Sequence, residues 1–148
     1  MTCRRTACGK LPRAALWTLS AVYGALMIWL LFLRRRGSFH SMNLVPFATI
    51  REFLEAAGGA DYLARHAAVN LAGNVVMFVP LGFFPPALFP WLRSFRRDML
   101  ACAAAIVLVE CMQYLLWCGS AEVDDLILNL CGAAAGYGLF AAARNLFK

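Results

Sequence analysis

The sequence predicts an all-α fold: a polytopic membrane bundle of about four transmembrane helices, with a short interfacial helix in the first extracytoplasmic loop. Composition is the first reason. Of the 148 residues, 62% are hydrophobic and only 15% are charged, and the mean hydropathy is +0.67. So few charges do not cover the apolar surface of a soluble domain of this size. The second reason is four stretches close to the ~20 residues that cross a hydrocarbon core as a helix.

These spans divide the chain into a cytoplasmic N-terminal tail, residues 1–13, and one transmembrane domain, residues 14–148. The first span, "AALWTLSAVYGALMIWLLFL", covers residues 14–33 without a charge. Basic residues precede it, as in a signal peptide. Its apolar run is too long, however, and "RRR" follows it in place of a cleavage site, so we expect a retained helix. The other predicted spans are 67–84, 99–118 and 126–143, and only the third contains a charged residue, Glu110.

The six cysteines form no C-x-x-C motif and no pairing with histidine. Four of them fall in or at the ends of predicted spans, where small, soft side chains pack well. We therefore expect packing residues and no metal site, cofactor or disulfide.

The net charge of +6 raises the possibility of nucleic acid as a partner. The basic residues instead flank the spans, where they set topology and contact phospholipid headgroups. With the N-terminus inside, nine basic residues lie on cytoplasmic flanks and five on the opposite side. This count predicts a multi-pass plasma-membrane protein with both termini cytoplasmic and no nucleic-acid partner, although the "RRR" run at 34–36 argues for the reverse orientation.

The long connection after the first span contains signals for a short helix. "TIRE", Thr49 to Glu52, matches a capping box, and apolar residues recur at helical spacing until Gly58 and Gly59. Pro46 predicts an extended turn just before it. The segment is either an amphipathic helix at the membrane interface or an ordinary surface helix that covers the end of the bundle.

The second span contains prolines. Pro80 has no N–H for the carbonyl of Val76, so a kink or pause is expected there, as a packing device or a functional break. We expect Pro85 and Pro86 to end the helix.

Polar residues recur on single helix faces within the spans. Asn70 and Asn74 are four residues apart, and Glu110 and Gln113 are three apart. The fourth span continues the pattern. Its polar residues lie at a depth in the membrane similar to that of the other two pairs, so all these groups should lie in one half of the membrane. That half is the outer leaflet if the termini are inside. The set in the fourth span is Asp125, Asn129, Gly132 and Gly136.

Two interpretations of this convergence remain open. The polar groups can bond across helices and hold the bundle together, and the GxxxG of Gly132 and Gly136 suits close helix approach. Alternatively, they line a pocket. We favour the pocket for the acids, because interhelical hydrogen bonding needs amides and hydroxyls and not Glu110 with an Asp124–Asp125 pair.

The motifs "NLVPF", "NLAGNVVMFVPLGF", "ECMQ" and "VDDLILNLCGAAAGYG", in this order, resemble those of VanZ-like membrane proteins. The resemblance covers roughly residues 43–138. It implies a cell-envelope setting, since the founding member is associated with resistance to the glycopeptide teicoplanin. It also implies functional weight on Asn43, Pro46, Asn70, Gly73, Asn74, Pro80, Gly82, Glu110, Gln113, Asp124, Asp125, Asn129 and Gly132.

The chain departs from the family pattern just before its paired acids. Members commonly carry glycine-arginine and then an aspartate there. The stretch here is "WCGSAEVDD", which has no arginine and has Glu122 where aspartate is usual. If that arginine binds an anionic group, this chain has altered or lost that contact.

Two functions follow as hypotheses. The first is a non-enzymatic envelope protein whose polar pocket binds a lipid headgroup, a lipid-linked wall precursor or a glycopeptide-like ligand. The second is a membrane enzyme acting on a lipid-linked substrate, with Glu110 as general acid or base and the paired aspartates orienting substrate or holding a divalent ion. A small transporter subunit is a third, less favoured class. The candidate ligand-binding residues are Asn43, Asn70, Asn74, Glu110, Gln113, Asp124, Asp125 and Asn129.

Overall fold

The computed structural model describes residues 13–33, 42–43, 45–48, 50–51, 55, 61–118 and 121–146. Within them, four helices are long and apolar enough to cross a membrane, which confirms the predicted α-helical bundle. The bounds are α1 Arg13–Ile28, continued by a π-helix at Trp29–Leu33, then α2 Asp61–Leu88, α3 Phe95–Leu115 and α4 Val123–Leu146.

Short elements connect the helices. The strands β1 (Met42–Asn43) and β2 (Ala121–Glu122) form a two-residue parallel bridge, and Pro90–Leu92 is a 3-10 turn. In the first connection, Ala48, Ile50, Arg51 and Glu55 are helical, and we call them the loop helix. The predicted capping box residues Thr49 and Glu52 lie outside the described residues.

Helix α2 passes through all three of its prolines. It shows no break at Pro80, and the predicted end at Pro85 and Pro86 is wrong, since the helix continues to Leu88. A proline removes the N–H that would bond the carbonyl four residues earlier, which for Pro85 is the carbonyl of Leu81. The thiol of Cys102 on α3 donates to that oxygen over 3.6 Å. Such side-chain partners from neighbouring helices let prolines persist in membrane helices.

The closest helix pair is α2 with α4, and glycines allow it. A Cβ added at Gly132 would lie 2.1 Å from the carbonyl oxygen of Val75, and one at Gly136 would lie 1.9 Å from that of Val79. A step of four residues along α4 therefore matches a step of four along α2, so the two helices run in the same direction. The GxxxG pattern serves close packing here, as the structural interpretation of these two glycines predicts.

The interior contains a small apolar core. Leu31, Phe78 and Ile106 are its buried members, and they join the π-helix to α2 and α3. Leu126 and Leu130 of α4 pack against them. Large apolar residues elsewhere on the helices are exposed, for example Leu100, Val107, Leu108 and Leu139, as expected of lipid-facing surfaces.

The two ends of the bundle differ in chemistry. We call the end that contains the start of α4 and the end of α3 the polar end, because its acids and amides are described below. The opposite end, the basic end, is closed by the 3-10 turn, where Tyr137 Oη donates to the carbonyl of Arg93 over 2.6 Å. It holds the exposed arginines Arg13, Arg93, Arg96, Arg97 and Arg144.

Helix α3 ends in a Schellman motif three residues before the predicted boundary at Cys118. The N–H of Cys118 donates to the carbonyl of Gln113, and that of Trp117 donates to the carbonyl of Tyr114. Trp117 adopts φ 55° at the position where glycine or asparagine is usual. A side chain with a Cβ pays about 1–2 kcal/mol for this left-handed conformation.

Candidate functional site

At the polar end, a side-chain hydrogen bond joins α2 to α4. The Nδ2 of Asn74 on α2 donates to Oδ1 of Asp125, the third residue of α4. These two residues were predicted to lie at a common depth, and the structure brings them into contact. The bond also joins α2 and α4 near their close contact, because Asn74 is one residue before Val75 on α2 and Asp125 is seven residues, about two turns, before Gly132 on α4.

Asp124 holds the first loop. This carboxylate is only 2% exposed, and its two oxygens accept the N–H groups of Phe47 at 2.6 Å and of Ile50 at 3.0 Å. Both donors belong to the start of the loop helix, where backbone N–H groups lack partners within the helix. Asp124 therefore acts as a cap supplied from another helix, with the favourable charge for a helix N-terminus.

Gln113 ties α3 to the first span. Its Nε2 donates to the carbonyl oxygen of Leu31 over 3.1 Å, and the side chain is buried. Leu31 lies in the last turn of the π-helix. Asp124 and Gln113 thus both bond to backbone groups near helix ends.

Asn43 organises the entry to the loop helix. Its Oδ1 accepts the N–H of Val45 over 3.1 Å, which forms a local turn before Pro46. Its backbone pairs with Glu122 in the β1–β2 bridge. The loop is therefore attached at its start by the bridge and at its helix by Asp124.

Asn129 differs from these residues. It is 3% exposed, and its Oδ1 accepts no hydrogen bond within the described part of the chain. At ~100° per residue, Asn129 is turned about 40° from Asp125, toward the side of α4 that carries Leu126 and Leu130. Those leucines pack on the core formed with α3. Asn129 therefore lies on the face of α4 between the α2 contact and the apolar core, about one turn below Asp125.

Glu110 lies at a similar level on α3. Its neighbour Val109 packs against the same core as Leu130, the neighbour of Asn129. Glu110 is half-buried, its Oε2 is buried, and the residue interacts with the protein. Because α3 ends at Leu115, Glu110 is five residues from the helix end, ~7.5 Å below it.

The structure thus brings most of the predicted residues to one end, in two groups. Asn43, Asn74, Gln113, Asp124 and Asp125 bond to other parts of the protein. Glu110 and Asn129 lie deeper. Asn70 belongs to α2, but its side chain lies outside the described residues.

Sequence reasoning missed Asp98. We predicted that the third span begins at residue 99, but α3 begins at Phe95, so Asp98 lies in its first turn and is wholly buried at the basic end. Its Oδ1 accepts no hydrogen bond among the described residues, and its Oδ2 is 4.0 Å from the thiol of Cys102. Asp98 and Cys102 are four residues apart and share one face of α3, but this spacing alone does not indicate that Asp98 is buried.

Within the described residues, no group of three or more histidine, cysteine, aspartate or glutamate side chains is arranged to hold a metal ion. The acids of the polar end are separated by their different partners. Asp124 faces the loop backbone, whereas Asp125 faces Asn74.

Comparison with known proteins identifies the family. No curated protein and no solved structure matches the chain. A family model described as VanZ/LLP1 matches residues 20–146, which include all of the polar end described above. The four-span bundle and this match agree with the resemblance read from the motifs, and the chain belongs to the VanZ/LLP1 family of membrane proteins.

Proposed function

We propose that this VanZ-like membrane protein binds, at its polar end, a ligand that presents N–H donors. Three ligands found at the cell envelope share this chemistry: an amine-bearing lipid headgroup, a lipid-linked wall precursor with its peptide, and a glycopeptide antibiotic of the teicoplanin type that reaches the envelope from outside. Binding any of them changes how the antibiotic meets its target, which links the proposal to the family's association with resistance.

One observation carries the proposal: the buried Oδ1 of Asn129 without a hydrogen bond in the described part of the chain. An acceptor left in this state costs about 1–3 kcal/mol. Natural proteins retain few such groups, and a ligand that donates a hydrogen bond removes the penalty.

The charge of the polar end favours a donor or a cation. An ionised carboxylate only accepts hydrogen bonds, and Glu110 has a buried oxygen within a membrane span. A carboxylate at this depth is expensive unless it is paired, and such residues usually mark functional paths. An ammonium or amide of the ligand would add a donor beside these acceptors, whereas a phosphate alone would be repelled.

The remaining predicted residues support the site in this proposal. Gln113 and Asp124 stabilise the surrounding backbone, and the Asn74–Asp125 bond fixes the walls. We assign ligand contact to Glu110 and Asn129, with Asn43 at the rim.

We further propose that the polar end faces the cell exterior of the plasma membrane. Lys and Arg favour the cytoplasmic flanks of spans. The exposed arginines of the basic end, Arg13, Arg93, Arg96, Arg97 and Arg144, then lie inside. The polar end is left where wall precursors and glycopeptides are present.

Glu110→Gln tests the function directly. The amide keeps the shape of the side chain but removes its charge, so we expect normal membrane yield and loss of most resistance when the protein is expressed in a teicoplanin-susceptible bacterium. A charge-assisted contact of about 1.5–3 kcal/mol corresponds to roughly 10–150-fold weaker binding. The measurement is the inhibitory concentration of teicoplanin at matched protein levels.

Glu55→Gln is the matched control, because Glu55 is an exposed acid of the loop helix paired with Arg51. It should keep full resistance. If Glu110→Gln also keeps it at equal yield, the charge has no functional part and the proposal fails. Conversion of a lipid-linked precursor by the purified protein, detected by mass spectrometry, would identify an enzyme instead.

A further inference from the structure

Two exposed aromatic residues stand in a backbone conformation that suits glycine. Within the described residues, the only non-glycine positions with positive φ are Phe47, at 65°, and Trp117, at 55°. Both belong to the polar end, since Phe47 bonds to Asp124 and Trp117 follows the last turn of α3. Each keeps a large ring where a residue without Cβ would be less strained.

Backbone hydrogen bonds hold both residues in this conformation. The N–H of Trp117 donates to Tyr114 within the Schellman motif, and the N–H of Phe47 donates to the buried carboxylate of Asp124. The side chains themselves are mostly outside the protein, with Phe47 60% and Trp117 64% exposed. The hydrogen bonds of the two backbone N–H groups therefore maintain the strained conformation, and the rings are mostly exposed.

The residues around the two rings are also apolar and exposed. Leu115 and Leu116 precede Trp117 and are exposed, and Val45 is exposed beside Phe47. Trp29 and Leu33, at the end of the first span, are exposed at the same end. This apolar surface continues the lipid-facing surface of the spans, and aromatic rings are enriched where such a surface reaches the headgroups.

We propose that Phe47 and Trp117 are membrane anchors that insert into the headgroup–acyl boundary of the bilayer and set the depth of the polar end. The partner is phospholipid of the membrane that the protein spans. Anchors on the loop and at the end of α3 hold the polar end at headgroup level, whichever ligand it binds.

Quenching by brominated phospholipid tests the depth. Trp117 is left as the sole tryptophan by replacing Trp17, Trp29 and Trp91 with phenylalanine in the full-length protein, which is then reconstituted into vesicles. We expect bromine near the headgroup end of the acyl chain to remove most of the emission, bromine near the chain end to remove much less, and aqueous iodide to have little effect. Efficient quenching by iodide without quenching by the lipids would overturn the proposal for Trp117.

The same experiment applies to the loop. Phe47→Trp, in a protein whose four native tryptophans are phenylalanine, should give the same pattern. As the reference, the same quenching is measured for a variant whose sole tryptophan is Trp91, which is exposed at the basic end. A Phe47→Trp signal that only iodide quenches would overturn the proposal for the loop.

A stability measurement separates anchoring from packing. Trp117→Gly and Trp117→Ala both remove the ring, but only glycine removes the strain, so in detergent the glycine variant should melt about 2–4 °C above the alanine variant. Both should lose the depth-dependent lipid contact in vesicles. If Trp117→Gly melts well below the native protein in detergent, the ring packs against protein and is not an anchor.

Discussion

Gly136→Ala is expected to separate α2 from α4 and to cause a large loss of stability for a single added methyl group. The new Cβ would lie 1.9 Å from the carbonyl oxygen of Val79 and close to the backbone N of Phe83. Backbone atoms do not move aside as a flexible side chain does, so the whole helix must shift. Overpacking of this kind costs about 1–3 kcal/mol, and we expect the upper end of that range.

Gly138→Ala is the control, because it lies on the same helix and its added Cβ would meet nothing within 4 Å. Alanine is the better helix former by about 1 kcal/mol, so this variant should be neutral or stabilised. Melting of the two purified proteins in detergent, with the fraction of monodisperse protein on size exclusion, makes the comparison. Equal melting temperatures would mean that the close α2–α4 contact does not exist in the membrane protein.

Asp124→Ala is expected to release the first loop while leaving the spans assembled. It removes two charge-assisted hydrogen bonds, to the N–H groups of Phe47 and Ile50, each contributing about 1.5–3 kcal/mol. Hydrogen exchange of these two amides should then accelerate about 10–100-fold, with amides in the middle of α2 unchanged. Asp124→Asn should give an intermediate result, because its amide nitrogen faces an N–H donor and only one oxygen can still accept.

Asp125→Asn is the matched control for Asp124. It keeps an oxygen that can accept from Asn74, and the N–H groups of Phe47 and Ile50 donate to Asp124 and not to this residue. Its exchange at Phe47 and Ile50 should match the native protein. Loop protection that survives in Asp124→Ala would show that the β1–β2 bridge alone holds the segment and that the carboxylate has another task.

Much of the fold could be predicted from the sequence, because a bilayer imposes a length and an apolar composition on each span. Every predicted span overlaps a helix of the structure, and the periodic glycines of α4 meet α2. The helix ends were less predictable. Pro85 does not end α2, because the thiol of Cys102 donates to the carbonyl of Leu81 that Pro85 leaves without its helical N–H. The sequence near Pro85 does not indicate this contact with another helix.

The depth of the polar residues could be predicted in part, but the partner of each could not. Helical spacing placed Asn74 and Asp125 at a common depth, and they bond to each other, whereas the partners of Asp124 and Gln113 depend on where the loop and the π-helix lie. Acids can also stabilise a bundle, because a carboxylate bonds well to backbone N–H groups that have no partner within a helix. Asp124 bonds to two of them with its two oxygens, a task that one amide oxygen does less well.

Asp98 was missed for a different reason. Local sequence placed it in a connection beside Arg96 and Arg97, but the helix begins earlier and turns it inward. Burial of a carboxylate at a helix start depends on what packs over the first turn, which spacing along one helix does not reveal.

The most direct test of the proposed site compares ligand binding by the native protein and by the Asn129→Leu variant. Three probes are used, phosphatidylethanolamine, a lipid-linked disaccharide pentapeptide and teicoplanin, each beside its amine-blocked analogue. Leucine removes the buried acceptor without leaving a polar group unsatisfied, so this variant should fold, and Asn145→Leu on the exposed last turn is its control. We predict that at least one probe binds the native protein in nanodiscs and that binding weakens about tenfold on Asn129→Leu and on blocking the amine. Binding that is indifferent to both changes, or no binding by any of the three, would contradict a site built to accept N–H donors.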